Sequence, residues 1–335
     1  MWLLSGSRVI RLLCLYAGLL LLAIGLAHAG HFSACSQQFY RQIPPVLQRD
    51  ALKKQAFPLC FNGFAVLYSG VSRTPLWSAE YLTPQRLKQA KTLNRQGEFY
   101  EEIRVPGAYR AQLSDYARSG YDRGHMAPNG DMASRSQQAD SFSLANMVPQ
   151  TPYNNQEVWR NLEEATRALV LKKRTAAYVL TGPVFASQRI KRIGGKQGVL
   201  VPTHVFKAVY FPELDAASAY VAVNDGQAAL RIMPLAELER LTGINLLPEL
   251  SAAAKHQLIN LPVSAKQANK GSFDLWASVD PRYTRPLPVP DRTASQAERQ
   301  PSAQPESGEE QSMFQQLINK LLHWLIDLLI SRTKS

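Results

Sequence analysis

Residues 121–128 read Tyr-Asp-Arg-Gly-His-Met-Ala-Pro, which places a charged pair, a glycine and a single histidine directly before Met-Ala-Pro. A neutral imidazole can take a proton from water near neutral pH, so His125 is the candidate general base. The adjacent guanidinium of Arg123 can hold a phosphate. Gly124 permits a close backbone approach, and Pro128 ends the element. We therefore predict that this run is catalytic; the alternative is a core histidine bonded to a backbone carbonyl.

An amide-rich segment follows this run. Asn146 precedes Met-Val-Pro-Gln, and two further asparagines open a helix that the apolar spacing predicts over residues 156–171. Asn155 shares the face of Trp159 and its apolar neighbours, where an amide costs free energy unless something satisfies it. An amide oxygen with water suits a hard cation such as Mg²⁺, whereas Asn154 is the better candidate for the helix N-cap. Histidine, arginines and a carbonyl-oxygen ligand are together the components of metal-assisted phosphodiester hydrolysis.

The chain resembles a known family at these positions, namely Asp-Arg-Gly-His with Met-Ala-Pro, followed in order by Asn146, Asn155, Trp159 and Glu163. The family is the DNA/RNA non-specific endonucleases of the ββα-metal type, typified by Serratia nuclease and endonuclease G. The resemblance runs from about residue 64 to about residue 247. It implies an α+β fold with a ββα-metal (His-Me finger) core in a layered sheet and helix domain. It also implies Mg²⁺-dependent cleavage of DNA and RNA, with Mn²⁺ as an alternative ion, leaving 5′-phosphate and 3′-hydroxyl ends.

The resemblance assigns the central roles residue by residue. His125 activates the attacking water, and Asn155 is the one protein ligand of the metal. Glu163 orders metal-bound waters and helps the leaving 3′ oxygen acquire a proton. Asn146 positions substrate and histidine, although a turn amide is the alternative. Arg73 stabilises transition-state charge on the phosphate through its planar fork.

Two further arginines are predicted to bind substrate. Arg123 and its neighbour Asp122 also serve to brace the histidine's loop. Arg167 matches a family arginine, but an ion pair with Glu163 at i, i+4 is an equal alternative. A glycine-rich loop downstream carries the basic residues Arg189, Lys191, Arg192 and Lys196. These could hold a nucleic-acid backbone without reading sequence, or form a solvated basic loop.

The remaining pattern predicts a mixed α+β domain over residues 30–284. Strands are expected at residues 64–68, 98–105, 177–180, 204–211 and 219–223, and a second helix at residues 235–241. We expect the catalytic hairpin and helix to lie on one layer of a sandwich.

The N-terminus has the pattern of an export signal over residues 1–29. Arg8 and Arg11 precede an apolar run, and Ala27-His28-Ala29 offers a cleavage site. The apolar run is shorter than the roughly 20 residues of a spanning helix, which disfavours a membrane anchor. We therefore expect an exported protein that is periplasmic, envelope-associated or secreted. The formal net charge of +12 falls to +10 when the two arginines leave with the signal, and a positive surface of this size attracts polyanions.

Three cysteines are present, and Cys14 lies in the predicted signal. The remaining pair predicts a Cys35–Cys60 disulfide under oxidising conditions, the alternative being two buried free thiols. A zinc role lacks suitable partners, since no Cys-x-x-Cys or histidine pair occurs.

The C-terminal region changes composition after Tyr283. Residues 285–312 are rich in Pro, Ser, Gln and Glu and predict a disordered linker. Residues 313–335 show helical apolar spacing, which predicts an amphipathic helix on a membrane surface or a partner helix. A plain packing helix is the equal alternative. The competing functions are a non-catalytic, envelope-attached nucleic-acid-binding protein and a metal-dependent phosphodiesterase of another class. No pattern predicts the oligomeric state.

Overall fold

The structure, a computed structural model, describes residues 30–287. The predicted signal peptide, the linker after residue 287 and the C-terminal helix at residues 313–335 lie outside the described residues. The boundary at residue 284 stays a prediction. None of the helices within residues 30–287 is long and apolar enough to cross a membrane.

A seven-stranded antiparallel sheet forms the centre of the described body, with three small two-stranded sheets around it. The strands are β1 (Val46–Leu47), β2 (Ala56–Cys60), β3 (Ala65–Ser69), β4 (Thr74–Leu82), β5 (Asp122–His125), β6 (Met147–Gln150), β7 (Ala177–Val184), β8 (Arg192–Ile193), β9 (Val199–Leu200), β10 (His204–Phe211), β11 (Ala216–Val223), β12 (Leu230–Met233) and β13 (Ile244–Asn245). Neighbours in the large sheet follow the order β12, β11, β10, β7, β4, β3, β2.

Eight α-helices and several shorter helical turns accompany these strands within the described residues. The α-helices are α1 (Asp50–Lys53), α2 (Pro84–Ala90), α3 (Leu113–Tyr116), α4 (Arg135–Ser141), α5 (Arg160–Lys173), α6 (Leu235–Thr242), α7 (Ala252–His256) and α8 (Ala265–Asn269). A π-helical turn at Asn154–Trp159 leads directly into α5. The 3₁₀ turns are Gly30–Gln38, Tyr40–Gln42, Asn129–Asp131, Leu144–Asn146, Pro212–Leu214 and Pro281–Tyr283.

Both faces of the large sheet are buried, as the alternation along β10 shows. Phe206 and Tyr210 pack with Trp77, the N-terminal turns and α6 on one face. Val205 and Phe211 pack with Trp159 and the apolar side of α5 on the other. Successive strand residues point to opposite faces, so a strand covered on both sides is apolar at nearly every position. The sheet therefore forms the middle layer, and the predicted α+β class is confirmed.

The catalytic run lies on a small hairpin beside the large sheet. Strand β5 pairs antiparallel with β6, with Asp122 opposite Gln150 and His125 opposite Met147. Because β6 runs through a short connection into the π turn and α5, two strands and a helix form one continuous ββα unit. This is the hairpin-and-helix arrangement that the sequence predicts for the site.

Most of the predicted elements are confirmed. The predicted strand at residues 204–211 coincides with β10, and those at residues 177–180 and 219–223 are the cores of longer strands. Helix α6 ends where Gly243 adopts a left-handed conformation with φ +71°. The predicted strand at residues 98–105 is wrong, because that segment pairs only through the isolated Tyr100–Ser143 bridge. Buried Glu102 is instead engaged by Arg104 and by the Ser143 hydroxyl.

The predicted Cys35–Cys60 disulfide is present. It joins the N-terminal turn to the end of β2, and Cys35 is buried in the core around Trp77. The rings of Phe32 and Phe39 contact Trp77 at centroid distances of 5.2 and 5.7 Å. The bridge thus fixes an aromatic cover on one face of the sheet.

Candidate active site

The side chains of β5 point alternately to two sides of the hairpin. Asp122 and Gly124 face the π turn, whereas Arg123 and His125 face a group of aromatic rings. A Cβ at Gly124 would overlap the side chain of Gln150, so no larger residue fits there. Gly124 is therefore required for a close approach, as predicted, and not for a turn.

His125 lies in an aromatic setting. Its ring centroid is 5.7 Å from that of Phe99 and 5.2 Å from that of Phe142. Burial, together with the positive charge of Arg95, lowers the pKa of His125 to about 3. Within the described residues its buried Nε2 has no hydrogen-bond partner. The imidazole is therefore neutral at physiological pH, with its Nε2 free of hydrogen-bond partners among residues 30–287.

Asn146 is fully buried and holds the hairpin in place. Its Oδ1 accepts from the Ser78 hydroxyl and from the Ala127 amide, each at 2.9 Å. Its Nδ2 donates to the carbonyls of Ala127 at 2.8 Å and Ser141 at 3.0 Å. With each polar atom of its side chain bonded to protein, Asn146 cannot also position substrate by direct contact. Its bonds to Ala127 instead hold the segment that follows His125.

Asn155 lies on the π turn and is oriented by Asp122. Asp122 Oδ2 accepts from Asn155 Nδ2 and from Gln156 Nε2, both at 2.8 Å. A carboxylate can only accept, so it fixes the amide nitrogen of Asn155 toward itself and turns the carbonyl oxygen away. That oxygen has no protein donor in the described structure. Asp122 thus ties the strand that carries His125 to the start of the helix.

A hard cation fits this arrangement, because a half-buried, outward-turned amide oxygen is a suitable ligand for Mg²⁺. Between residues 30 and 287 no group of three or more His, Cys, Asp and Glu side chains is arranged to hold a metal. Asn154, predicted as the N-cap, is instead buried within the π turn. Its amide accepts from Gln150 and donates to the Val223 carbonyl, each at 2.6 Å, so it ties the helix to β6 and β11.

Glu163 lies above a buried group of charges between the sheet and α5. Burial raises the pKa of Glu163 to about 7, against the nearby positive charges of Lys207 and Arg167. Lys207 is fully buried and donates to the Thr181 hydroxyl at 3.0 Å. Burial and the neighbouring Asp131 likewise raise the pKa of Glu80 to about 8. The pKa of Glu163 is therefore determined by its burial and by the buried charged side chains around it.

Two of the arginines predicted to act at the site also have protein partners of their own. Arg167 pairs with Asp131 at 2.9 Å rather than with Glu163, although its positive charge still acts on the Glu163 carboxyl group. Arg73 is buried in a left-handed turn with φ +56°, and its guanidinium donates to the Ala108 carbonyl at 2.8 Å. This bond engages one nitrogen of the guanidinium, and the role of Arg73 toward a phosphate stays a prediction.

Arg95 is the arginine that the sequence-based prediction missed. Its charge lowers the pKa values of both His125 and Glu163, so it lies within electrostatic reach of both. Its guanidinium lies 5.3 Å from the Phe142 centroid, and Phe142 contacts the His125 ring. An arginine in a polar loop belongs to no sequence motif and to no periodic pattern of residues, so the sequence does not indicate a role for it. Only the fold brings it to the histidine.

Arg123 keeps its predicted place beside the histidine. Its guanidinium lies 5.0 Å from the Phe99 centroid and 5.6 Å from that of Tyr116. It forms no ion pair with a carboxylate among residues 30–287, so it can serve a phosphate.

Comparison with known proteins gives concordant matches. The family model for DNA/RNA non-specific endonuclease matches residues 49–253. The mitochondrial nuclease of Saccharomyces cerevisiae is 34% identical over 254 residues, which cover 68% of this chain and 74% of the relative. The mitochondrial endonuclease G of Homo sapiens is 34% identical over 213 residues, 58% of this chain and 70% of the relative. A crystal structure of the EndoG/EndoGI complex, described in the context of EndoG inhibition, superposes with a TM-score of 0.52 at 26% identity, covering 58% of this chain and 86% of that one.

These relatives correct the predicted localisation. Both named relatives are mitochondrial nucleases, which contradicts the expectation of an exported, periplasmic or secreted protein. The matches also give no support to a membrane partner. They do agree with a nuclease rather than with a non-catalytic binding protein. The chain therefore belongs to the DNA/RNA non-specific endonuclease family, and it is a metal-dependent endonuclease with a ββα-metal fold that hydrolyses phosphodiester bonds.

Proposed function

We propose that this endonuclease uses Mg²⁺ to cut both DNA and RNA with little sequence preference, with His125 as general base and Asn155 as metal ligand. The observation that carries the proposal is the geometry of β5. Asp122 at one end of this four-residue strand orients the carbonyl oxygen of Asn155, and His125 at the other end holds a neutral imidazole. One short strand thus positions both the base and the ligand.

The residues divide the hydrolytic step between them. His125 takes a proton from water as the water oxygen forms its bond to phosphorus and the bond from phosphorus to the 3′ oxygen breaks. Arg123 and Arg95 offer guanidinium donors to the phosphate oxygens. Glu163 assists transfer of a proton to the leaving oxygen. When bound at Asn155, the cation stabilises negative charge on the phosphate and the leaving group.

Low sequence preference follows from the kind of contacts that these residues make. Guanidinium donors recognise phosphate oxygens, which every nucleotide carries, whereas sequence is read at base edges. The same phosphates occur in DNA and in RNA, so the proposal covers both polymers.

The test compares His125→Ala with His256→Ala, which removes an exposed histidine of α7. Plasmid DNA and a long RNA are incubated with each protein in Mg²⁺ and in EDTA. We expect His125→Ala to lower the cleavage rate by about 10²–10⁴-fold, the usual contribution of a general base, while binding of nucleic acid persists. The His256→Ala control should cleave like wild type. A folded His125→Ala protein that cleaves at nearly the wild-type rate would refute the assignment.

A further inference from the structure

The loop at residues 187–201, which includes β8 and β9, carries a concentrated positive charge. It contains four basic residues and no acidic one, and Arg189, Lys191 and Lys196 are exposed. In the part of the chain that the structure describes, none of the four forms an ion pair with a carboxylate. The fourth, Arg192, donates to the Gly198 carbonyl within the loop. Three cations are therefore free to meet an anion from outside.

The loop is anchored at a definite position. Its apolar residues Ile193, Val199 and Val201 are buried in one cluster with Tyr116 and Met147. Met147 belongs to β6, so this cluster joins the loop to the hairpin that carries His125. Two backbone bonds fix the register of the loop, from Leu200 to the Ser72 carbonyl at 2.9 Å and from Val201 to the Lys191 carbonyl at 2.8 Å. The charges thus sit on a fixed surface beside the active site.

Contacts between aromatic rings and cations connect this loop to His125. The Lys191 ammonium lies 4.8 Å from the centroid of Tyr121, the residue directly before β5. Tyr121 and Phe99 pack on the same cluster as the loop, and Phe99 contacts both Arg123 and the His125 ring. The four residue steps from Tyr121 to His125 span about 13 Å at ~3.3 Å per step. Along the axis of a duplex, where each nucleotide of one strand rises ~3.4 Å, that length corresponds to about four nucleotides.

We propose that Arg189, Lys191 and Lys196 form a second binding surface for the phosphate backbone of a polynucleotide, about four nucleotides from the bond that is cut. The inference rests on the proposed function, because it takes His125 as the point of cleavage. Exposed point charges bind phosphate without reading bases, so the surface favours long substrates over short ones and leaves sequence preference low.

The test uses the triple variant Arg189→Gln, Lys191→Gln, Lys196→Gln and a matched control, Lys53→Gln, Lys54→Gln, Lys266→Gln. The control removes the same charge from exposed positions on α1, directly after α1 and on α8. For each protein, kcat/KM is measured on a long single strand and on an oligonucleotide of about four nucleotides, too short to reach Lys191 when cut at its centre. For the triple variant, we expect the ratio of kcat/KM on the long substrate to kcat/KM on the short one to fall by roughly 10–100-fold. The main cause should be a higher KM for the long substrate.

Binding supplies a readout that does not depend on cleavage. The dependence of log Kd on log salt concentration is measured with the long strand in a His125→Ala background. Since each single-strand phosphate contact contributes a slope of about 0.7, loss of three contacts should reduce the slope by about 2. The control triple variant should keep the slope of its parent.

The possible outcomes separate this inference from the proposed function. An unchanged substrate preference and an unchanged salt slope would overturn the second surface while leaving His125 catalysis intact. Equal losses on long and short substrates would also overturn it, because the loop would then act on the catalytic centre. If wild type cleaves neither polymer, the proposed function fails, and the salt slope alone decides whether the surface exists.

Discussion

Asn155 depends on Asp122 for its orientation, although 33 positions separate them in the chain. An amide side chain alone can present either its oxygen or its nitrogen to a bound ion, and only the oxygen is a ligand. The carboxylate of Asp122 removes this ambiguity by accepting from the nitrogen. It also accepts from Gln156, so two consecutive residues of the π turn are held together. π-Helical turns inside helices are rare and are frequent at functional sites.

Asp122→Ala should therefore weaken the use of metal without abolishing the fold. We expect the Mg²⁺ concentration for half-maximal cleavage to rise by about 10–100-fold, the usual effect of losing a partner that orients a ligand. Asp274→Ala, which removes an exposed carboxylate far along the chain, serves as the control. If a folded Asp122→Ala protein shows the wild-type Mg²⁺ titration, Asp122 does not position the metal ligand.

At the scale of elements, the hairpin β5–β6 is held in place largely by one buried side chain. Asn146 lies at the entry to β6. Its side chain bonds to Ser78 in β4, to Ala127 two residues after His125, and to Ser141 at the end of α4. A short two-stranded hairpin is marginally stable by itself. Its fixed position beside the large sheet thus depends on this amide.

Asn146→Ala should lower the free energy of unfolding by about 2–4 kcal/mol, because it leaves several buried donors and acceptors without partners. Urea denaturation measures the change, and Asn269→Ala at the exposed end of α8 should shift stability by less than about 0.5 kcal/mol. The specific activity of the variant should fall in proportion to the fraction of molecules that keep the β5–β6 hairpin in place. Loss of activity at full stability would instead restore a direct role of Asn146 toward substrate.

Considered as a whole, the described body is one two-sided sheet whose N-terminal aromatic cover is held by a disulfide. Phe32, Phe39 and Trp77 pack together where Cys35 meets the end of β2. The residues of the catalytic hairpin and helix belong to other parts of the body. The cover can therefore be weakened without changing the contacts of His125 or Asn155, the proposed base and metal ligand.

Cys35→Ser with Cys60→Ser should lower the free energy of unfolding by about 3 kcal/mol, the value expected for a closed loop of this size. Thermal denaturation measures the loss, and cleavage well below the melting temperature should remain at the wild-type rate. Wild type treated with a reductant is the matched comparison and should lose a similar amount of stability. Equal melting temperatures for wild type and variant would show that the bridge does not stabilise the body.

The sequence alone predicted the family and much of the secondary structure. The run at residues 121–128, the strand at residues 204–211 and the helix at residues 235–241 follow from motif, alternation and helix-end signals, all of which are local. The disulfide followed from counting cysteines. The strand predicted at residues 98–105 was wrong, because Glu102 interacts with Arg104 and Ser143 and the segment forms no strand-to-strand hydrogen-bond ladder.

Only the tertiary structure decided which charged and polar groups meet. It placed the charge of Arg95 within reach of His125, paired Arg167 with Asp131, and set Asp122 against Asn155. These choices lie outside any local pattern, because charges and amides carry no periodicity of their own and pair with whatever the packed apolar core places beside them. The apolar pattern of the sequence determines where helices and strands form. The packing of those elements then determines which polar side chains lie next to one another.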